Sequence, residues 1–156
     1  MKTEITIREA VDSDLPVLLK YEQGMVKAER PFDPTIKDAD VTYYDLGALM
    51  ENPKAILLVA CDADKIVATG YALEKPARHY LDHETFAYLG FMYTDPDYRG
   101  MGINGKIVSG LKDWCTASRL TEIRLHVYSE NEPAIRAYEK VGFKRHMIEM
   151  RLRIES

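Results

Sequence analysis

"YRGMGINGK", residues Tyr98–Lys106, places three glycines and two cations in nine positions, and its reading decides the fold. Glycine costs about 1 kcal/mol relative to alanine inside a helix, so three of them need a physical reason. Upstream, "TFAYLGFMYT" (Thr85–Thr94) is nearly continuous apolar sequence, as expected of a central strand buried on both faces. Gly90 inside it marks a bulge or a close backbone neighbour. Downstream, Ile103, Ile107, Val108, Leu111, Trp114 and Cys115 recur at helical spacing. A strand therefore enters a glycine-rich turn and a helix leaves it.

The start of such a helix presents unpaired N–H groups and the positive end of the macrodipole. Without side chains at Gly100, Gly102 and Gly105, a phosphate can approach those donors closely. Arg99 and Lys106 oppose the dipole unless an anion is bound there. The plainer alternatives are a tight strand-to-helix turn with no ligand and a solvated Lys106.

The rest of the chain bounds the answer. With 156 residues, 46% hydrophobic and 29% charged, it is long enough for one domain, 1–156, with a real core. A net charge of −4 gives no basic footprint for nucleic acid and no polybasic membrane signal. Cys61 and Cys115 form no CxxC pair and sit in apolar patterns, which reads as two reduced core residues. No apolar leader core or membrane-length run is present, so a soluble cytoplasmic protein is expected.

Moving outward, "EITIR" alternates like a short strand. "DSDLPVLLKYEQGM" reads as a helix with Ser13 as N-cap, Pro16 in its first turn, and Leu15, Leu18, Leu19 and Val26 as the buried stripe. "ERPFDP" is a loop, and a second helix is expected over Ala39–Glu51. "AILLVACD" and "KIVATGYAL" flank the turn Asp62-Ala63-Asp64 as an antiparallel hairpin. "EIRLHVY" alternates as a strand, and "NEPAIRAYEKVGF" has Asn131 as N-cap, Pro133 in the first turn and Gly142 as a stop. The closing "FKRHMIEMRLRI" puts Ile148, Met150, Leu152 and Ile154 on one face of an expected final strand. The order β-α-α-β-β-β-α-β-α-β describes a mixed α/β domain without repeats or linkers.

Two look-alikes fail on context. "GMGING" has G-x-G-x-x-G spacing, but it lies two-thirds along the chain after an antiparallel hairpin rather than opening a βαβ series. A P-loop fails because no Gly-Lys-Ser/Thr follows at the required spacing. Instead "YTDPDYRGMGING" followed by "NEPAIRAYEKVGF" resembles the GNAT superfamily of acetyl-CoA-dependent N-acetyltransferases. Arg99, Gly100, Met101, Gly102, Ile103 and Asn104 lie on that family's Arg/Gln-x-x-Gly-x-Gly/Ala pattern. Asn131, Ala134, Tyr138, Gly142 and Phe143 meet its Asn-x-x-Ala-x-x-x-Tyr-x-x-x-Gly-Phe motif.

The resemblance implies a central mixed, mostly antiparallel sheet whose parallel central strands splay apart, flanked by helices. It implies acetyl-CoA as cosubstrate, held in a V-shaped gap between the central strand and the "EIRLHVY" strand, and no metal. The pantetheine arm would pair with main-chain groups near Met92, Tyr93 and Thr94. The pyrophosphate would rest on N–H groups from Arg99 through Gly100, Met101, Gly102, Ile103 and Asn104 to Gly105. Asn131 would help to hold the pantetheine, and Tyr138 would lie near the thioester sulfur; seven residues apart, they share one helix face. A packed core aromatic remains the other reading of Tyr138, and an ordinary N-cap that of Asn131.

Two departures stand out. Asn104 occupies a position where the family pattern wants Gly or Ala. Many relatives carry a glutamate on the central strand where Tyr88 stands here; the catalytic base is left open between Glu84, four residues earlier, and an ordered water relay. His79 and His83 have i,i+4 spacing without the glutamate of HExxH, which argues against a metal site. Glu29 and Asp33 with Tyr43 and Tyr44 form either an acidic, aromatic wall suited to a cationic amine or a solvated loop. The expected activity is acetyl transfer to a small-molecule or peptide primary amine by direct attack, with a non-catalytic acyl-CoA-binding or sensing domain as the alternative. A homodimer is compatible with such folds.

Overall fold

The computed structural model describes residues 4–155. Five strands form one sheet in the order β1-β2-β3-β4-β5: β1 (Ile5–Glu9), β2 (Ala55–Asp62), β3 (Lys65–Pro76), β4 (Thr85–Thr94) and β5 (Ile123–Arg124). The first four pair antiparallel in sequence, whereas β5 runs parallel to β4. The expected mixed, mostly antiparallel sheet with one parallel pair, β4 and β5, is therefore present.

Both faces of the sheet are covered, which explains why β2 is apolar at nearly every position. Leu57, Val59 and Cys61 face one cluster, with Leu18, Tyr21, Leu46, Tyr71 and Phe91. Leu58 and Ala60 face the other, with Ile103, Ile107, Leu111 and Cys115. The first cluster is roofed by α1 (Leu15–Glu29) and α2 (Leu46–Glu51), the second by α3 (Ile103–Ala117). The fourth helix, α4 (Glu132–Lys140), follows β5, with the Asn131 side chain accepting from the Ala134 N–H and Gly142 at φ 108 ending it. Both cysteines are buried and free, and burial pushes the Cys115 thiol up.

Several boundaries differ from the expectation. Ser13 is not the N-cap of α1: a short 3-10 turn covers Asp12–Asp14, and Asp14 accepts from Arg8 at 2.7 and 2.9 Å and from the Val11 N–H at 2.8 Å. Along α1, Leu19 is exposed, and Tyr21 and Glu22 join Leu18 and Val26 in the interior. The second helix begins only at Leu46, where Asp45 caps it. Before it, side chains from α1 satisfy the irregular backbone: Gln23 donates to Val41, Arg30 donates to Lys37 and Ala39, and Glu22 accepts from the N–H groups of Tyr43 and Tyr44. The hairpin turn narrows to Ala63-Asp64, with Ala63 in the left-handed region at φ 52.

Strand β4 buries side chains on both faces: Ala87 and Leu89 lie in the α3-side cluster and Phe91, beyond the bulge, in the opposite one, while Tyr88, Gly90 and Met92 are half-buried. The "EIRLHVY" strand is regular only at Ile123–Arg124. Residues 144–155 form no strand, against the sequence expectation, and their apolar side chains are exposed.

Candidate active site

The site begins where β4 and β5 part. Only Ala87–Ile123 and Tyr88–Arg124 are paired between them. From Leu89 onward the side of β4 facing β5 has no ladder partner. A bulge reinforces the parting: β3 passes from Thr69 to Tyr71 through Gly70, while β4 passes from Tyr93 to Gly90 through Met92 and Phe91. Phe91 takes φ 52, its carbonyl accepts from Thr69 Oγ1 at 2.7 Å, and its N–H donates to the Tyr44 hydroxyl at 3.2 Å. Gly90 is required here, since a Cβ would fall 2.3 Å from the Tyr71 ring. The close neighbour expected from the sequence is that tyrosine.

Beyond Thr94 the chain turns through a 3-10 segment, Pro96–Tyr98, capped by Asp95 and anchored by Tyr98 donating to Asp62 at 2.6 Å. Arg99 donates to the Thr94 carbonyl at 3.2 Å and lies 5.8 Å from the Tyr93 ring centroid. Gly100 and Gly102 both take φ 77, and a Cβ on either would meet nothing within 4 Å. Gly102 is the N-cap of α3 and supplies no side-chain acceptor, so the first-turn N–H groups lack a cap. Open space above two left-handed glycines, an uncapped helix start and a flanking cation fit a phosphate group. Met101 is exposed, Ile103 is fixed in the core, and Asn104 and Gly105 are half-buried on the first turn. Gly105 faces the end of α4: a methyl there would lie 4.0 Å from Val141 Cγ1. The phosphate-loop residues and the α4 motif thus meet, as Asn131 and Tyr138 require if they are to serve one ligand.

Tyr138 packs edge-on against Phe143 at 5.9 Å. Its pKa is pushed up to about 12, mainly by burial and further by the charge of Glu29. It is therefore a protonated donor at neutral pH. Burial, and to a lesser degree the same Glu29 charge, also raises Tyr43, Tyr44, Tyr88 and Tyr128. Glu29 itself is raised, first by burial, and it sits at the C-terminal end of α1 where the helix dipole disfavours an anion. Asp33 accepts from the Tyr128 hydroxyl at 3.4 Å and from Arg151 at 3.2 Å, with Phe32 stacked on Tyr128 at 5.8 Å. Tyr88 lies at the last β4–β5 pair, its hydroxyl 3.3 Å from His126 Nδ1.

Glu84 stands apart from this group. It is exposed in the segment before β4, four residues short of Tyr88, or about 13 Å along an extended strand. His83 contacts Asp82 and Arg124, while His79 packs on Tyr80. Among the described residues no three His, Cys, Asp or Glu side chains come together as metal ligands. The sequence pointed to Glu29, Asp33, Tyr43 and Tyr44 as one of two readings of a loop, and to Tyr88 only as the residue standing where many relatives carry a glutamate; Tyr128 went unmarked.

Residues 22–143 match the Acetyltransferase (GNAT) family. The chain belongs to that family. A thialysine N-epsilon-acetyltransferase of Sus scrofa is 26% identical to this GNAT chain over 148 residues, covering 88% of it and 83% of the pig protein. A tetramutant protein of Bacillus halodurans superposes with TM-score 0.82 at 22% identity, over 96% of this chain and 99% of that one. A predicted acetyltransferase of Clostridium acetobutylicum, solved with acetyl-CoA, superposes with TM-score 0.76 at 20% identity over 96% of each chain. No helix among the described residues is long and apolar enough to cross a membrane.

Proposed function

We propose that this GNAT protein moves an acetyl group from acetyl-CoA to a cationic primary amine by direct attack. The observation that carries the reading is the parting of β4 and β5 after Tyr88, with an uncapped helix start beyond the end of β4 and Tyr138 within the field of the Glu29 charge. Bound acetyl-CoA supplies the thioester. Arg99 and the N–H groups from Gly100 to Gly105 hold its phosphates, and Met92, Tyr93, Thr94 and Asn131 orient its pantetheine arm. The acetyl carbon passes from sulfur to the amine nitrogen, the C–S bond breaks, and Tyr138 donates a hydrogen bond to the departing thiolate.

The acceptor approaches from the other side of the gap. Glu29 and Asp33 attract its ammonium form, and the rings of Tyr43, Tyr88 and Tyr128 offer cation–π faces. An alkylamine of pKa near 10.4 must lose a proton first, which costs about 4.6 kcal/mol at pH 7. That proton leaves through water beside Glu29, whose raised pKa suits it to receive one; Glu84 is too far along the sheet. The name of the pig relative, which acetylates a primary amine, supports the same acceptor class.

An amine panel with thiol detection, run beside an acetyl-CoA titration, tests the reading. Diamines and lysine-like amines should release CoA, and Glu29→Gln should raise KM for them at least tenfold. Acetyl-CoA at a hundredfold excess over its dissociation constant should stabilise the fold by about 2.7 kcal/mol. A melting shift without CoA release from any amine would mark a non-catalytic acyl-CoA-binding domain. No shift at millimolar acetyl-CoA would remove the cosubstrate from the account.

A further inference from the structure

Beside the acidic groups Glu29 and Asp33, the same side of the sheet carries a cationic corner. Tyr71, Leu73 and Lys75 alternate onto one face of β3, opposite Gly90, Tyr88 and Phe86 of β4, and Tyr88 is in turn paired with Arg124 of β5. Tyr71, Leu73 and Tyr88 all pack in the cluster roofed by α1 and α2, so this row lies on that face of the sheet. Lys75 Nζ stands 4.2 Å from the Tyr88 ring centroid, and the Arg124 guanidinium 4.0 Å from that of Phe86. A cavity of about 240 Å³ between α2 and β3, lined in part by Tyr44, Leu49, Tyr71 and Leu73, borders the same row.

Neither cation is fully matched by the fold. Among the described residues no carboxylate stands within 4.0 Å of Lys75, although its side chain is half-buried and its charge rests on a ring. Arg124 donates from Nε to Glu122 at 3.4 Å and from Nη2 to His83 Nε2 at 2.7 Å. Glu122 is half-exposed and its contact is long, so it neutralises little of the charge. Both Nη1 hydrogens are without a partner among the described residues, on a planar fork that suits a carboxylate. The Glu29 charge is also felt at Tyr88. One ring therefore lies between a carboxylate field and a half-buried ammonium.

We propose that Arg124 and Lys75 form a carboxylate subsite, so that the preferred acceptor is a small ω-amino acid rather than a diamine. The inference rests on the acetyl-transfer reading and narrows its acceptor: Glu29 and Asp33 attract the amine end, Arg124 and Lys75 the acid end. Geometry sets the spacing. The β4–β5 ladder ends at Tyr88, so the reacting nitrogen lies past that residue. Phe86, under the Arg124 guanidinium, is two residues back, about 7 Å along the strand. A flexible chain with an amine at one end and a carboxylate about 7 Å away spans that interval. A second ammonium in the same place would meet two like charges.

The test compares 6-aminohexanoate, hexylamine and 1,6-diaminohexane, which share a chain length and differ only at the far end. With CoA release as the readout, kcat/KM should be at least about tenfold higher for the amino acid than for hexylamine, and lowest for the diamine. Arg124→Gln should remove most of that preference. Lys75→Gln, which gives up no hydrogen bond, should lower it about fivefold. The product 6-acetamidohexanoate, titrated by NMR, reads the subsite without turnover and should lose at least about tenfold in affinity in Arg124→Gln. Equal kcat/KM for 6-aminohexanoate and hexylamine, or a preference that both variants keep, would overturn the subsite. So would an equal loss with all three amines and a lower melting temperature, which would assign Arg124 to holding His83. If no amine releases CoA, product binding that depends on Arg124 keeps the subsite and overturns acetyl transfer; product binding indifferent to Arg124 and Lys75 overturns the subsite as well.

Discussion

Replacing Tyr138 by Phe removes one hydroxyl from a half-buried ring and leaves its edge-on packing against Phe143. The structure sets the size of the effect. With the Tyr138 pKa pushed up to about 12, full proton transfer to a thiolate whose acid has pKa near 8.5 would run uphill by about 4.8 kcal/mol. Tyr138 is therefore better suited to donate a hydrogen bond to the developing thiolate than to lose its proton. Hydrogen bonds to charged groups contribute about 1.5–3 kcal/mol, which corresponds to roughly a ten- to 150-fold loss of turnover.

Pre-steady-state measurement of CoA release, under conditions where chemistry limits the rate, gives the relevant constant. Two accompanying results are expected. Acetyl-CoA affinity should change little, because the hydroxyl acts on charge that develops only as the C–S bond breaks. The rise in rate between pH 7 and 9, which reports amine deprotonation, should have the same slope in the variant. Unchanged turnover would reduce Tyr138 to packing. A wild-type profile that falls again near pH 9, with the fall abolished in the variant, would show a tyrosine of far lower pKa and refute the argument from burial.

Gly105→Ala should separate fold stability from ligand binding, because a methyl there meets Val141 only at 4.0 Å. Helix propensity predicts up to about 1 kcal/mol of stabilisation without ligand, while acetyl-CoA affinity by calorimetry should fall at least tenfold; full affinity would remove Gly105 from the phosphate site. Asp14→Ala should cost about 2 kcal/mol through the lost hydrogen bonds with Arg8 and the Val11 N–H. The Arg8 hydrogen bond holds the Asp14 carboxyl below its usual range, so this contribution is full above pH about 4 and lost as pH falls through the lower folded value. The melting gap between wild type and variant should accordingly be constant from pH 5 to 7 and narrow in acid; a constant gap down to pH 2 would assign the loss to packing.

The elements written by local rules were legible. α4 carries its own punctuation in Asn131, Pro133 and Gly142, and α3 declares itself by the spacing of Ile103, Ile107 and Leu111. The hairpin and β4 followed from apolar runs separated by short turns. What failed was set by distant partners. The segment before α2 resembles helix by composition, yet its backbone is satisfied by Gln23, Arg30 and Glu22 reaching across from α1. Ser13 was a plausible cap until Arg8, from the neighbouring strand, claimed Asp14. The final strand fails as well: residues 144–155 pair with no strand of the described sheet, and Ile148, Met150, Leu152 and Ile154 stay exposed.

The candidate site divides along the same line. The proposed phosphate loop is local, so its glycines and Arg99 could be read in order from the chain. The acceptor wall we propose draws on α1, the loop after it, β4, the segment after β5, and α4, so no window of sequence contains it. Buried Glu22 shows how the two halves are joined. Its carboxylate holds the N–H groups of Tyr43 and Tyr44, at 3.0 and 2.8 Å. Tyr44 in turn takes the N–H of Phe91 at the β4 bulge, the point where the sheet has opened. On the proposed reading, a change in the 30–45 segment that re-aimed Tyr43 would alter the acceptor side, whereas one that moved Tyr44 would disturb β4 at its bulge. Acceptor choice would then vary at Tyr43, Glu29 and Asp33 with little cost to cosubstrate binding, while Glu22 and Tyr44 would be constrained by both.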